Sequence, residues 1–153
     1  MGRVAASPDT APRVRAAELG DAGDVAHLLD VLGYPCTRDE ASERIAIIFR
    51  DPRQHLLLAD IDGAICGLIS LDLIYSLARG ADIARITALA VTPNCQRQGI
   101  GRRLLREVEL IARRAGASRL EVTSNPRRIE AHAFYRGCGY ADGSRHFVKP
   151  LGD

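Results

Sequence analysis

The sequence predicts a single mixed α/β sheet with helices on both faces, and three observations carry that reading. Apolar, β-branched runs of strand length alternate with segments whose apolar residues recur at helical spacing. Two of those runs, His55 to Ile61 and Ala64 to Tyr75, flank Asp62-Gly63, a pair whose tolerance of positive φ suits a two-residue hairpin turn. A third run, Ile83 to Val91, leads through Gln96-Arg97-Gln98-Gly99-Ile100-Gly101 into an amphipathic basic helix.

Taken in order, Arg13 to Ala17 reads as a short strand. Gly20-Asp21 is expected to cap a helix that buries Val25, Leu28, Leu29 and Leu32 and ends at Gly33. Thr37-Arg38-Asp39-Glu40 has the form of a capping box, opening a second helix with Ala41, Ile45, Ile48 and Phe49 as its apolar stripe. Asp51-Pro52 stops that helix. The hairpin strands follow, and Thr92-Pro93-Asn94 ends the strand Ile83 to Val91. The next helix, Arg102 to Ala115, buries Leu104, Leu105, Val108, Ile111 and Ala115, and Gly116 terminates it. Arg119 to Thr123 alternates as a strand. Asn125 is placed as the N-cap and Pro126 as the first residue of a last helix ending near Gly137. Two short strands are expected to close the chain, around Tyr140-Ala141 and from Arg145 to Lys149.

With 153 residues and 46% apolar content, the chain is long enough for one domain with a real core. Residues 1–12 read as a flexible tail and 13–153 as the domain. The tail lacks the apolar stretch of a signal peptide, and Ala6 occupies the place where a myristoylation pattern needs Ser or Thr. Asp60, Asp62 and Asp72 interrupt the longest apolar region, so no membrane span is expected. Cys36, Cys66, Cys95 and Cys138 are far apart, show no metal spacing, and read as reduced thiols of a cytoplasmic protein. Formal net charge is +2, divided as −5 over residues 1–83 and +7 over residues 84–153. The basic half would suit an anionic ligand and the acidic half a cationic one. Glu107 and Glu109 balance the arginine-rich helix, and no aromatics interleave with it, so nucleic acid is not the expected partner.

The Gly99–Gly101 loop is the chemical centre of the sequence. The first turn of a helix has unpaired N–H groups and partial positive charge, and glycines let a phosphate approach closely. A dinucleotide fingerprint would need a third glycine where Leu104 stands, and a Walker loop would need Gly-Lys-Ser/Thr. Both are absent, which leaves a strand–loop–helix anion site of another kind.

The stretch L-A-V-T-P-N-C-Q-R-Q-G-I-G-R-R-L-L resembles the acetyl-CoA-binding core of the GNAT superfamily of N-acetyltransferases, whose motif is Q/R-x-x-G-x-G/A. Gln96, Gly99 and Gly101 fill its places. Downstream, T-S-N-P-R-R-I-E-A-H-A-F-Y-R-G-C-G-Y resembles that family's last strand–helix unit, matched by Asn125, Ala131, Phe134, Tyr135, Gly139 and Tyr140. The resemblance implies a GNAT fold whose mostly antiparallel sheet splays between its fourth and fifth strands. It also implies direct acetyl transfer from acetyl-CoA to an amine through a ternary complex, without an acyl-enzyme. The CoA pyrophosphate would lie on the N–H groups of Gln98, Gly99, Ile100, Gly101 and Arg102, with added charge from Arg97 and Arg102. Leu89 and Val91 would pair their backbones with the pantetheine, and the N–H of Leu89 or Ala90 would meet the thioester carbonyl. Asn125 would hydrogen-bond the cofactor. Tyr135 would protonate the departing thiolate; a phenol of ordinary pKa, about 10, stays protonated at neutral pH, as a general acid must.

Many relatives carry a glutamate on the strand before the loop, but here Arg85 and Thr87 occupy the corresponding region. Asp72, Asp82 and Glu121 are the alternative bases, with water a further route. His27, His55 and His132 read as structural or surface residues, and no metal is expected. Asp21, Asp24, Asp30, Asp39, Glu40 and Glu43 give the N-terminal helices an acidic character that favours a small cationic amine as acceptor. A protein N-terminus or lysine is the alternative acceptor, and a non-catalytic acyl-CoA sensor the rival from another class. The resemblance leaves a homodimer open and gives no membrane partner.

Overall fold

The computed structural model describes residues 12–96, 98–123, 129–143 and 146–152. The chain divides into two compact units, Met1–Thr123 and Ser124–Asp153. The first holds a five-stranded sheet in the order β1 (Arg13–Ala16), β2 (Gln54–Ile61), β3 (Ala64–Ser76), β4 (Ala81–Val91), β5 (Leu120–Val122). Its first four strands pair antiparallel, and β4 pairs parallel with β5. Helices α1 (Ala22–Leu32) and α2 (Arg38–Arg50) precede β2, and α3 (Ile100–Arg114) connects β4 to β5.

The expected local signals produce their elements. Asp62 (φ 51°) and Gly63 (φ 87°) both take positive φ between β2 and β3, as a twisted two-residue hairpin requires. Gly33 ends α1 at φ 100°, where the Tyr34 N–H closes back on the Leu29 carbonyl at 2.8 Å. The Thr37 hydroxyl accepts from the Glu40 N–H while the Glu40 carboxylate accepts from the Thr37 N–H, at 3.0 and 2.9 Å.

Leu56, Leu58, Leu68 and Ala90 pack with Val25, Leu28, Ala41 and Ile45, so α1 and α2 cover one face of the sheet. Neighbouring residues of a strand point to opposite faces. Gly67, beside Leu68, therefore looks the other way, onto α3. A Cβ on Gly67 would lie 3.1 Å from Leu104 Cδ1 and 3.2 Å from Ile100 Cγ2. The missing side chain is what lets the start of α3 sit down on β3. Ile100, Leu104, Leu105, Val108 and Ala112 are buried beneath that helix. Full burial of one such leucine contributes about 2 kcal/mol, so the helix start is firmly anchored.

Several expectations need correction. Phe49 is 83% exposed. Eight residues beyond Ala41, the helical step of about 100° has carried it about 80° around the axis, off the buried stripe. Ala115 is the exposed C-cap of α3, and Ala112 is buried in its stead. Asp21 does not cap α1 with its side chain. Its carboxylate accepts from the Glu18 N–H at 2.8 Å and pairs with both terminal nitrogens of Arg15, at 2.8 and 2.9 Å. No strand forms among the described residues 140–143 and 146–152. A strand needs a partner to hydrogen-bond its backbone, and these segments have none of the regular pairings that define the sheet. The expected helix start at Asn125-Pro126 lies outside the described residues.

In the second unit, α4 (Ile129–Gly137) ends where the sequence placed its end. Gly139 takes φ 94°, and the Tyr140 N–H closes onto the Tyr135 carbonyl at 3.0 Å. Among the described residues, no helix is long and apolar enough to cross a membrane.

Candidate active site

The site begins at a register shift. Along β3 and β4 the pairing runs Leu71 with Ile86 but Ser70 with Ala88, so Thr87 is the extra residue of a β-bulge. The partnership of β4 with β5 covers only Ala84 to Ile86. From Thr87 onward, among the described residues, no strand flanks β4 on that side.

Backbone alternation decides which groups face this open edge. The Thr92 N–H donates to the Cys66 carbonyl on β3 at 2.8 Å. Counting back, Val91 turns its N–H and C=O away from β3, Ala90 toward it, and Leu89 away again. The Val91 carbonyl accordingly accepts from Gln96 Nε2 at 3.2 Å and not from β3. Of the expected edge residues, Leu89 and Val91 thus present their backbones to the open side, while Ala90 turns its amide into the sheet.

The edge runs into the glycine loop. After a short 3₁₀ turn, Pro93–Cys95, the chain reaches Gly99, which is the N-cap of α3 and takes φ 78°. A side chain there would be strained whatever space surrounded it. The first main-chain bond of α3 is Arg103 N–H to Gly99 C=O at 2.9 Å. The preceding amides of Ile100, Gly101 and Arg102 point out of the helix start, which has neither a side-chain cap nor an acid in its first turn. This is the geometry of an anion site. Gln98 lies on the exposed approach, its Nε2 3.5 Å from the Asn94 carbonyl, and Arg102 is exposed. Arg103 pairs with Glu107 one turn on, at 3.3 Å. Arg97 and Asn125 lie outside the described residues.

Around the bulge the chemistry is polar. Thr87 Oγ1 and Ser70 Oγ are 2.8 Å apart. Of the candidate bases, Asp82 is held by Arg53 at 2.7 Å, and Glu121 by Arg85 and Arg119 at 3.2 and 3.1 Å. Both carboxylates are thus already engaged by guanidinium groups. Asp72, half-buried on β3 opposite Arg85, stands outside those pairs. No local signal announces the Arg53–Asp82 and Arg85–Glu121 pairs, whose partners are 29 and 36 positions apart.

The acids of the first helices also divide into two groups. The Arg15 guanidinium holds the Asp21 carboxyl below the usual carboxylate range, against the opposing effect of burial. The Thr37 N–H does the same for Glu40. These two acids build the scaffold, and Asp24, Asp30, Asp39 and Glu43 remain exposed. In the second unit, the Tyr135 ring meets Phe134 and Tyr140 edge-on, with centroids 5.4 and 5.9 Å away.

The splayed edge, the glycine loop and the sequence around them can be set beside known proteins. The profile of the Acetyltransferase (GNAT) family matches residues 24–140. The chain belongs to this family. It is 36% identical over 124 residues to an aminoalkylphosphonate N-acetyltransferase of Salmonella typhimurium, covering 81% of this chain and 78% of that one. It is 30% identical over 148 residues to an aminoglycoside N(6')-acetyltransferase type 1 of Stenotrophomonas maltophilia, covering 93% and 95%. A GNAT family acetyltransferase of Staphylococcus aureus superposes with a TM-score of 0.79 at 24% identity, over 92% of this chain and 99% of that one. The protein is therefore a GNAT acyltransferase that acetylates amines, and its sheet is the sheet of that fold.

Proposed function

We propose that this GNAT enzyme transfers an acetyl group from acetyl-CoA to the primary amine of a small, cationic molecule in the cytoplasm. One observation carries the donor half of the reading: the uncapped start of α3 adjoins an open strand edge that displays Leu89 and Val91. A pyrophosphate fits the first feature, and an amide-bearing chain fits the second as an added strand would. The residues present therefore suit acetyl-CoA, which when bound supplies the activated acyl group.

The roles of the chain's own residues follow. The amides of Gln98, Gly99, Ile100, Gly101 and Arg102 hold the pyrophosphate, with Arg97 and Arg102 adding charge. The glycines keep side chains out of its way. Leu89 and Val91 align the pantetheine, and the Leu89 N–H donates to the acyl oxygen as charge develops there. Tyr135 holds the proton that the departing thiolate takes, and Asn125 hydrogen-bonds the donor. The attacking amine must arrive neutral. Its proton leaves through water or Asp72, since Asp82 and Glu121 are engaged by arginines.

The acceptor half rests on two supports. Both relatives are named for small amines, and Asp24, Asp30, Asp39 and Glu43 leave exposed negative charge on the N-terminal helices. The test is thiol release from acetyl-CoA across a panel of polyamines, aminoglycosides, zwitterionic amines and peptides. The reading expects the highest kcat/KM among small polycations. Turnover confined to peptide N-termini or lysines would overturn it.

A further inference from the structure

The described fold brings together two cysteines that the reaction does not use. Cys66 lies on β3 and is buried, at 5% exposure; Cys95 closes the 3₁₀ turn before the glycine loop and is half-buried. Their sulfurs are 3.1 Å apart, both as thiols, although 29 positions separate them in the chain. Two main-chain bonds hold them in register. The Thr92 N–H donates to the Cys66 carbonyl at 2.8 Å, and the Cys95 N–H donates to the Thr92 carbonyl at 2.9 Å.

We infer that Cys66 and Cys95 are a reversible dithiol–disulfide pair whose oxidation by a small disulfide repositions the loop entering α3. The exposure of the two residues sets the order of events. Cys95, the accessible partner, loses its proton to solvent, and its thiolate attacks a small disulfide such as glutathione disulfide, releasing one glutathione. The Cys66 sulfur, already in contact, gives up its proton and displaces the second glutathione. Two protein thiols lose two electrons, and one small disulfide becomes two thiols.

The bond has a mechanical consequence. A disulfide brings its sulfurs to about 2.05 Å, so the pair must close by about 1 Å. β3 lies within the sheet and is paired on both sides, so the movement falls on Cys95. The far end of the loop cannot follow, because Ile100 and Leu104 are seated against Gly67. The strain falls on Gln96, which also holds the Val91 carbonyl, and on Gly99 at the helix start. A shift of that size loosens an amide–phosphate hydrogen bond, and loss of one such charge-assisted bond weakens donor binding by roughly tenfold. This consequence for the donor rests on the proposed acetyl-CoA site; formation of the bond does not.

The test equilibrates the full chain with mixtures of reduced and oxidised glutathione, alkylates remaining thiols, and maps peptides without reduction. The expected result is a Cys66–Cys95 cross-link, with altered hydrogen exchange across residues 98–102. The KM for acetyl-CoA should rise about tenfold and return to its starting value with dithiothreitol. Cys95→Ser, a change at a half-buried turn, should keep the reduced enzyme's KM and lose the response. The inference is overturned if Cys66 and Cys95 stay alkylatable at every ratio, or if cross-links run only through Cys36 or Cys138. It is equally overturned if the cross-linked protein shows unchanged exchange in the loop. A reduced enzyme that neither binds nor turns over acetyl-CoA would count against the acetyl-CoA reading alone, and the peptide map and exchange would still decide the redox pair.

Discussion

Helices α2 and α3 begin on opposite terms. The first turn of α2 holds two acids, Asp39 and Glu40, and a reciprocal cap with Thr37. The first turn of α3 holds no acid and no side-chain cap, and its N-cap is a glycine in the left-handed region. Every helix start has the same unsatisfied amides and the same partial positive charge. In α2 the chain satisfies them itself, which contributes stability. In α3 no side chain among the described residues caps them. The buried seat on Gly67 supports α3 where its own cap does not. A helix start held from behind by packing can be kept open in front for a ligand.

Substitutions can break this contrast from either side. The largest effect is expected from Gly101→Glu, which gives α3 the acid that α2 already has. The carboxylate suits the helix dipole, and Glu is a better helix former than Gly by roughly 0.5–1 kcal/mol. The melting temperature should hold or rise while calorimetry shows CoA affinity falling by about a hundredfold or more. Retained affinity would mean that the α3 start is not the phosphate site. Next comes Tyr135→Phe, which keeps the ring and removes the proton. Turnover should fall by about a hundredfold, within the usual range for loss of a general acid, with CoA affinity nearly unchanged. Steady-state kinetics beside calorimetry separates the two quantities.

The smallest effect belongs to α2. Thr37→Ala should cost about 1 kcal/mol in denaturant unfolding and leave CoA affinity untouched. Its partner acid has a pH signature. The Glu40 carboxyl is held below its ordinary value by the Thr37 N–H. A lowered pKa contributes stability that is fully present above the ordinary carboxylate range and is lost as pH falls through the lowered value. The stability gap between wild type and Glu40→Gln should therefore close on acidification, measured by chemical unfolding across that range.

The contrast also explains what could be read in advance. The Thr37–Glu40 cap, the Asp62-Gly63 turn and Gly33 are local signals, each complete within a few residues, and each formed as read. The sheet and the glycine loop were legible for the same reason. The resemblance implies a bulge in the strand Ile83 to Val91, but its position at Thr87 has no local signal, because a bulge exists only in relation to the register with β3. The ion pairs of Asp82 and Glu121 and the Cys66–Cys95 contact depend on strand register, which distant residues set. Asp21 has the look of a cap because its acid sits beside a helix start, while its partner, Arg15, lies across the turn on β1. The acceptor side suffers most from this. Apart from Glu40, whose cap is a local signal, its acids look alike in sequence, and only the fold separates Asp21, held by Arg15, from those left exposed.

The most direct test of the central claim is an amide NMR titration of the full chain with CoA. The account predicts that Leu89, Val91, Gly101 and Arg102 shift together and saturably, while the amides of Arg38, Asp39 and Glu40 stay in place. Saturable binding that leaves the start of α3 and the open edge of β4 unmoved would contradict it.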